Sequence, residues 1–290
     1  MSSDTTTPSA HVSKSTSNHV PTPIVLTIAG SDSGGGAGIQ ADIKAMSATG
    51  SYACSVITAI TAQNTLGVSA IFPIPLEHIE KQLDAVFSDL NVIAVKVGML
   101  ADCDTIKLVA AKLKQYRPKF LVVDPVMVAT SGDLLLKMTS INTLKSELLP
   151  LADLITPNLP EAAALTGSLV PTDSASMTLM VDKLRQLKMK TVLLKGGHLE
   201  EDENSTDFLI FADRLEVLTS PRIQTRNTHG TGCTLSSAIA SYLAQGNDLL
   251  QAVQLGKKYI TQAIEHADEL QIGRGHGPVN HFFNGHANVR

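Results

Sequence analysis

Short apolar runs recur along the chain, and each stops abruptly at glycine, aspartate, proline or lysine. The runs at 24–29, 93–97, 120–123, 154–156 and 191–195 have the length and the Val, Ile and Leu content of buried strands. Between them lie stretches with apolar residues at helical spacing, such as Ile79, Leu83, Val86, Phe87 and Leu90. Strands that alternate with helices require crossover connections, so the chain predicts an α/β fold around a mostly parallel sheet covered on both faces. The further helices are expected at 39–48, 76–90, 102–116, 140–149, 177–187, 235–244 and 249–266. Strands are expected at 52–60 and 68–72 around a loop at 61–67, and a hairpin at 208–211 and 215–218. The unusual loops follow strands: 30–38, 98–100, 124–132, 157–161 and 195–198. In an open α/β sheet the ligand lies outside the carboxyl ends of the strands, so these loops should meet at one site.

The length of 290 residues allows one large core. Neither a linker nor an internal repeat is visible, which predicts one domain over 24–283 and a short tail at 284–290. Residues 1–23 are rich in Ser, Thr and Pro and predict a disordered lead-in. They lack the apolar stretch of a secretory signal; a transit peptide is the weaker alternative, since Lys14 is their one lysine and arginine is absent. The net charge of −4 gives no bulk attraction to nucleic acid or membrane. With no Trp, platforms for stacking bases are not expected. Cys54, Cys103 and Cys233 are scattered and form no C-x-x-C, which excludes a disulfide framework and fits a cytoplasmic protein. His276, His281 and His286 share no helix face and predict a mobile tail rather than a metal site.

The chemistry concentrates in a few stretches. Thr228-His229-Gly230-Thr231-Gly232-Cys233 feeds a small, apolar helix. Glycines there let backbone N–H groups approach an anion at the positive end of the helix dipole, and a cysteine at that place is expected to have a lowered pKa. The plainer reading is a helix cap with a small buried cysteine. Asp124 ends a strand before Pro125 and suits Mg²⁺, directly or through water. Asn158 and Glu161 follow the next strand and either join that site or form a helix N-cap. Lys195 ends another strand, where a point charge can meet phosphate. Gly34, Gly36 and Gly38 imitate a dinucleotide loop, but the spacing fails and no acid closes the second strand. No G-x-x-x-x-G-K-[ST] is present either.

Taken together, Thr27-Ile28-Ala29-Gly30-Ser31-Asp32-Ser33-Gly34-Gly35-Gly36-Ala37-Gly38-Ile39-Gln40-Ala41-Asp42, Thr61-Ala62-Gln63-Asn64, Lys96-Val97-Gly98-Met99-Leu100, Val123-Asp124-Pro125-Val126-Met127, Thr156-Pro157-Asn158-Leu159-Pro160-Glu161, Lys195-Gly196-Gly197-His198 and Asn227-Thr228-His229-Gly230-Thr231-Gly232-Cys233 resemble the hydroxymethylpyrimidine/phosphomethylpyrimidine kinases of thiamine biosynthesis. The resemblance runs in order over residues 24–283. It implies a ribokinase-like three-layer α/β/α fold that uses ATP and Mg²⁺. The implied activity phosphorylates 4-amino-5-hydroxymethyl-2-methylpyrimidine and then its monophosphate. By this resemblance Gln63, Asp32, Met99, Gly30 and Ala37 line the pyrimidine pocket. Asp124, Asn158 and Glu161 organise metal and phosphates, with Asp124 and Glu161 as metal ligands. Lys195, Asn158, Thr228 and Gly230 serve ATP. Gly230, Thr231 and Gly232 form an anion hole, and Cys233 is the candidate base.

The wider superfamily usually carries aspartate at the Cys233 position, and some pyridoxal kinases share the cysteine, so a vitamin B6 kinase is the alternative. A pyrimidine sensor without turnover and a nicotinamide enzyme are more distant readings. Fungal relatives add a thiaminase-like domain at the C-terminus, and that activity is not expected here. A homodimer is expected by analogy. Residues 130–134 and 202–207 are candidate mobile loops over the site.

Overall fold

A computed structural model describes residues 21–127, 138–197 and 203–285. The lead-in at 1–20, the loop at 130–134, His198, Asp202 and His286 lie outside the described residues. In chain order the elements are β1 (Ile24–Asp32), α1 (Gly38–Ala48), β2 (Tyr52–Asn64), β3 (Gly67–Pro73), α2 (Leu76–Asp89), β4 (Val92–Val97), α3 (Cys103–Tyr116), β5 (Phe120–Val123) and α4 (Met138–Thr143). They continue with β6 (Leu154–Ile155), α5 (Leu159–Thr166), α6 (Ser174–Gln186), β7 (Val192–Leu194), β8 (Asn204–Ile210), β9 (Leu215–Pro221), α7 (Thr231–Ala244) and α8 (Leu249–Glu265).

One sheet runs in the order β3-β2-β1-β4-β5-β6-β7-β8-β9. The strands from β2 to β7 in that order pair in parallel, while β3 at one end and β8–β9 at the other are antiparallel. Side chains alternate across a strand, so each strand feeds two cores. Leu26, Ile28, Val95 and Val97 pack with Ile79, Leu83, Ile106 and Met177, from α2, α3 and α6. Val25, Ala94, Val122 and Leu193 pack with Met46, Leu235, Ile239 and Val253, from α1, α7 and α8. This is the three-layer α/β/α architecture.

Five local expectations change. The 61–67 loop is mostly strand: β2 continues to Asn64 and pairs with β3 through Thr61–Ile71 and Gln63–Val68. Its ladder is supplied by a partner that no local pattern announces. The helix expected at 140–149 divides into α4, a wide π turn at Leu144–Leu148 and a 3₁₀ turn at Leu149–Leu151. Pro150 has no N–H to donate back into the preceding turn. The helix α5 was not expected as an element, although Asn158 and Glu161 form a reciprocal capping box at its start and Gly167 closes it at φ 66°.

The fourth change concerns the histidine-bearing segment, which is fixed where it is described. Gly277 carbonyl accepts the His229 N–H at 3.0 Å. His281 is buried, with Nε2 2.9 Å from Thr234 Oγ1, and its carbonyl accepts the Tyr259 hydroxyl. Burial pushes the His281 imidazole down to about 4, so it stays neutral and can share that hydrogen bond. The second candidate mobile loop also changes: Asn204 to Asp207 belong to β8, and Asp207 is buried against Lys257 at 2.6 Å.

Candidate active site

The carboxyl ends of β1, β4, β5, β6 and β7 open into one cavity of about 760 Å³. Gly30, Asp32, Ala37, Gln63, Met99, Asp124, Asn158, Glu161, Lys195, Thr228, Gly230, Thr231, Gly232 and Cys233 all line it. The α/β scaffold therefore brings every candidate from the sequence to one wall or another of a single space.

On one side, α7 begins without a side-chain cap, and Gly230 precedes it at φ 80°. A Cβ at Gly230 would stand 1.9 Å from the Gly36 carbonyl, so only glycine lets this turn press against the loop after β1. In the first turn of α7 the Thr231 N–H reaches back to the Thr228 carbonyl at 3.3 Å, while the N–H groups of Gly232 and Cys233 stand at the cavity wall, where they favour an anion. Beside them, close enough that a Cβ at Gly232 would stand 3.2 Å from it, Lys195 Nζ donates to Asp124 Oδ1 at 2.9 Å, and Thr156 donates to the same oxygen at 2.9 Å. Burial opposes the Lys195 charge, but Asp124 and Glu161 outweigh it and hold the ammonium above the usual lysine range. Burial likewise opposes ionised Asp124, yet Lys195 and Lys96 keep its carboxyl below the usual range.

Glu161 differs. Burial pushes it up to about 7, with the Asp124 charge adding to the rise and Lys195 opposing it. Its Oε2 accepts the Asn158 N–H at 2.8 Å, so one carboxylate serves both the helix cap and the cavity. The sign for stability follows. The folded chain holds a proton on Glu161 up to about pH 7, the unfolded chain only to about 4.5. Stability is therefore lost as pH rises between those values. Glu161→Gln should stabilise by on the order of 2 kcal/mol at about pH 8 and hardly at all at about pH 4. Thermal melts at the two pH values test this; an equal gain at both would place the effect in packing.

Among the described residues no group of three or more His, Cys, Asp or Glu is assembled as a metal cage. Two hard carboxylates beside an uncapped helix start are a donor set that Mg²⁺ accepts, because it retains water and completes its shell with phosphate oxygens. Asp124 and Glu161 fit that role.

Cys233 departs from expectation. Its thiol is pushed up to about 11 and not down. Burial is the largest cause, and the Asp42 and Asp124 charges add to it. Lys96 and the hydrogen bond from Gly38 oppose them without prevailing. Asp32 also differs from a free pocket carboxylate. Burial raises its pKa, but His229 and the amides of Ala37 and Gly34 hold it below the usual range. Its oxygens are spent on the N–H groups of Gly34, Gly36 and Ala37 at 2.8, 3.0 and 2.8 Å. Asp32 shapes the loop that carries the pocket.

Lys96 was quoted in a motif but given no role. It sits fully buried inside an apolar strand, bonded to both Asp42 oxygens at 2.8 and 2.9 Å, and its end reaches the cavity wall. A lysine within such a run was the available signal. His229, also without a role, sits 2.9 Å from Asp32 Oδ2. At the far end of the cavity stand Lys257, Asp207 and Ser205.

An uncapped helix start beside a lysine and two carboxylates, at the strand ends of this α/β/α fold, suits the class of proteins that transfer phosphoryl groups. Comparison gives the family. Residues 32–280 match the phosphomethylpyrimidine kinase family. The hydroxymethylpyrimidine/phosphomethylpyrimidine kinase of Rhizobium meliloti is 54% identical, over 90% of this chain and 97% of its own. The solved phosphomethylpyrimidine kinase of Clostridium difficile is 48% identical at a TM-score of 0.72, covering 83% of this chain and 99% of its own. The pyridoxal kinase of Bacillus subtilis, solved with ADP, is 36% identical at a TM-score of 0.83, covering 90% and 98%. This chain belongs to the phosphomethylpyrimidine kinase family and is a kinase.

Proposed function

We propose that the protein transfers the γ-phosphoryl group of ATP to the hydroxyl of 4-amino-5-hydroxymethyl-2-methylpyrimidine, and then phosphorylates the resulting monophosphate to the diphosphate, in thiamine biosynthesis. The observation that carries this reading is the junction of the α7 start with Lys195 and Asp124 at one cavity wall, where a Cβ at Gly232 would stand 3.2 Å from Lys195 Nζ and 3.4 Å from Asp124 Oδ2. The relatives of the family and the ADP held by the Bacillus pyridoxal kinase support it.

Phosphoryl transfer asks for alignment and charge neutralisation more than for covalent chemistry. Lys195 and the amides of Gly230 to Cys233 share the charge on the transferred group. Asp124 and Glu161 would hold Mg²⁺, which supplies neutralisation of phosphate charge. Asn158 caps α5 and keeps Glu161 pointed at that place. Cys233 takes the proton of the substrate hydroxyl. Gln63, with Met99 and Gly30 beside it, reads the aminopyrimidine ring.

A coupled ATP assay against hydroxymethylpyrimidine, its monophosphate and pyridoxal tests the reading; turnover of pyridoxal alone would replace it with the second reading, a vitamin B6 kinase, which the likeness to the Bacillus enzyme favours. Binding of the pyrimidine without ATP consumption would make the protein a sensor. Gln63→Leu should raise KM for hydroxymethylpyrimidine about tenfold, because a buried hydrogen bond is worth roughly 1–3 kcal/mol. An unchanged KM would move ring recognition to other residues.

The protein is further proposed to act in the cytoplasm as a homodimer. Among the described residues no helix is long and apolar enough to cross a membrane. Ile60 and Phe72, paired across β2 and β3, leave an exposed apolar pair on one face suited to a second copy. Sedimentation of wild type and Phe72→Glu compares the two states.

A further inference from the structure

His229, Gln63 and Thr61 meet at one corner of the cavity, and their protons admit one consistent arrangement. His229 Nε2 stands 2.9 Å from Asp32 Oδ2. Asp32 is an ionised carboxylate that already takes three backbone N–H groups, so it can only accept, and the His229 proton must reside on Nε2. That same Nε2 lies 3.4 Å from Gln63 Nε2, which also bears hydrogens. A donor thus faces a donor. At the other end of the amide, Thr61 Oγ1 lies 3.1 Å from Gln63 Oε1 and 2.8 Å from the Ser31 carbonyl. The hydroxyl has one proton, and the shorter contact gives it to the Ser31 carbonyl. Gln63 Oε1 then faces an oxygen with nothing left to donate.

Half a turn of the Gln63 amide resolves both ends. The oxygen then accepts from His229 Nε2–H, which it shares with Asp32. The amide nitrogen donates to Thr61 Oγ1, whose own proton remains with Ser31. Each contact along Ser31, Thr61, Gln63, His229 and Asp32 then joins a donor to an acceptor.

We propose that His229 is a positioning residue that fixes which end of the Gln63 amide is oxygen, and through it which way round the pyrimidine binds. This rests on the aminopyrimidine reading above. With its oxygen on the His229 side, Gln63 has one acceptor site and one hydrogen left for the ring. The acceptor meets the 4-amino group and the hydrogen meets ring N3. The 4-amino group therefore lies on the His229 side. The hydroxymethyl group is on C5, next to C4, and is carried toward the same side, where Gly230 to Cys233 follow His229 in sequence. The opposite amide would call for the opposite edge order and turn the hydroxymethyl group away from the anion hole.

The test compares the 4-amino substrate with its 4-oxo analogue, in which C4 accepts and N3 donates. Wild type should prefer the amino compound strongly in kcat/KM. His229→Leu frees the amide to rotate, so the ratio of amino to oxo turnover should fall about tenfold or more, the worth of one mispaired buried hydrogen bond. His229→Gln, which can still donate, should retain most of the ratio. Thr61→Val releases the amide from its other end and should also lower the ratio, which keeps the test decisive if the His229 variant is misfolded; ADP binding serves as the fold control. Equal losses on both compounds, with the ratio unchanged in all variants, would overturn the proposal. Failure of wild type to use the aminopyrimidine at all would instead overturn the functional reading.

Discussion

Lys96→Met is expected to destabilise the protein by about 3–5 kcal/mol, the usual consequence of stranding one partner of a buried ion pair. Lys96 and Asp42 are both fully buried. The carboxylate also accepts Thr27 Oγ1 at 2.6 Å and Ser237 Oγ at 2.7 Å. This one group therefore joins α1, β1, β4 and α7. Without the ammonium, Asp42 must stay charged in an apolar setting or take up a proton. Urea unfolding at about pH 7 should show the loss, and the pair Lys96→Met with Asp42→Asn should regain a good part of it. A single variant as stable as wild type would mean that water reaches the site. The same change should slow phosphorylation of the hydroxyl substrate, because the Lys96 charge is the largest influence that favours the Cys233 thiolate.

The second large effect concerns pH. With a thiol near 11, roughly one Cys233 in ten thousand is ionised at pH 7. If the thiolate is the base, kcat/KM for the hydroxyl acceptor should climb close to tenfold per unit between about pH 7 and 9. The monophosphate acceptor is already an anion and should give a nearly flat profile. Cys233→Ala should cost about 10²–10⁴-fold on the first acceptor and far less on the second. Cys233→Asp, which restores the residue usual in the wider superfamily, should flatten the first profile. Flat profiles for both acceptors in wild type would reduce Cys233 to its backbone N–H in the anion hole.

The central sheet could be read from the sequence because a parallel strand is buried on both faces and so is apolar throughout. The site could be read because glycine, aspartate and lysine at the ends of such runs have no reason of packing to be there. Other features depended on contacts the sequence does not display. The extension of β2 to Asn64 exists because β3 folds back upon it. The proton affinity of Cys233 depends on burial and on charges from α1, β4 and the end of β5, and the motif alone suggested the opposite direction. Asp32 lines the pocket as the motif implies, but its hold on the amides of Gly34, Gly36 and Ala37 is a contact no motif displays. Lys96 shows a general difficulty: a charge inside an apolar run tells of a partner without telling where along the chain it lies.

The attachment of residues 277–281 to the anion-binding turn bears on how the protein is made. That turn is held by Gly277 through the His229 N–H and by His281 through Thr234, while Gly36 closes on it from the opposite end of the sequence. A chain still on the ribosome can pair its sheet long before it can set this turn. Phosphate affinity should therefore arise only once residues 277–281 have emerged, so that a polypeptide not yet extended through them neither sequesters nucleotide nor consumes it.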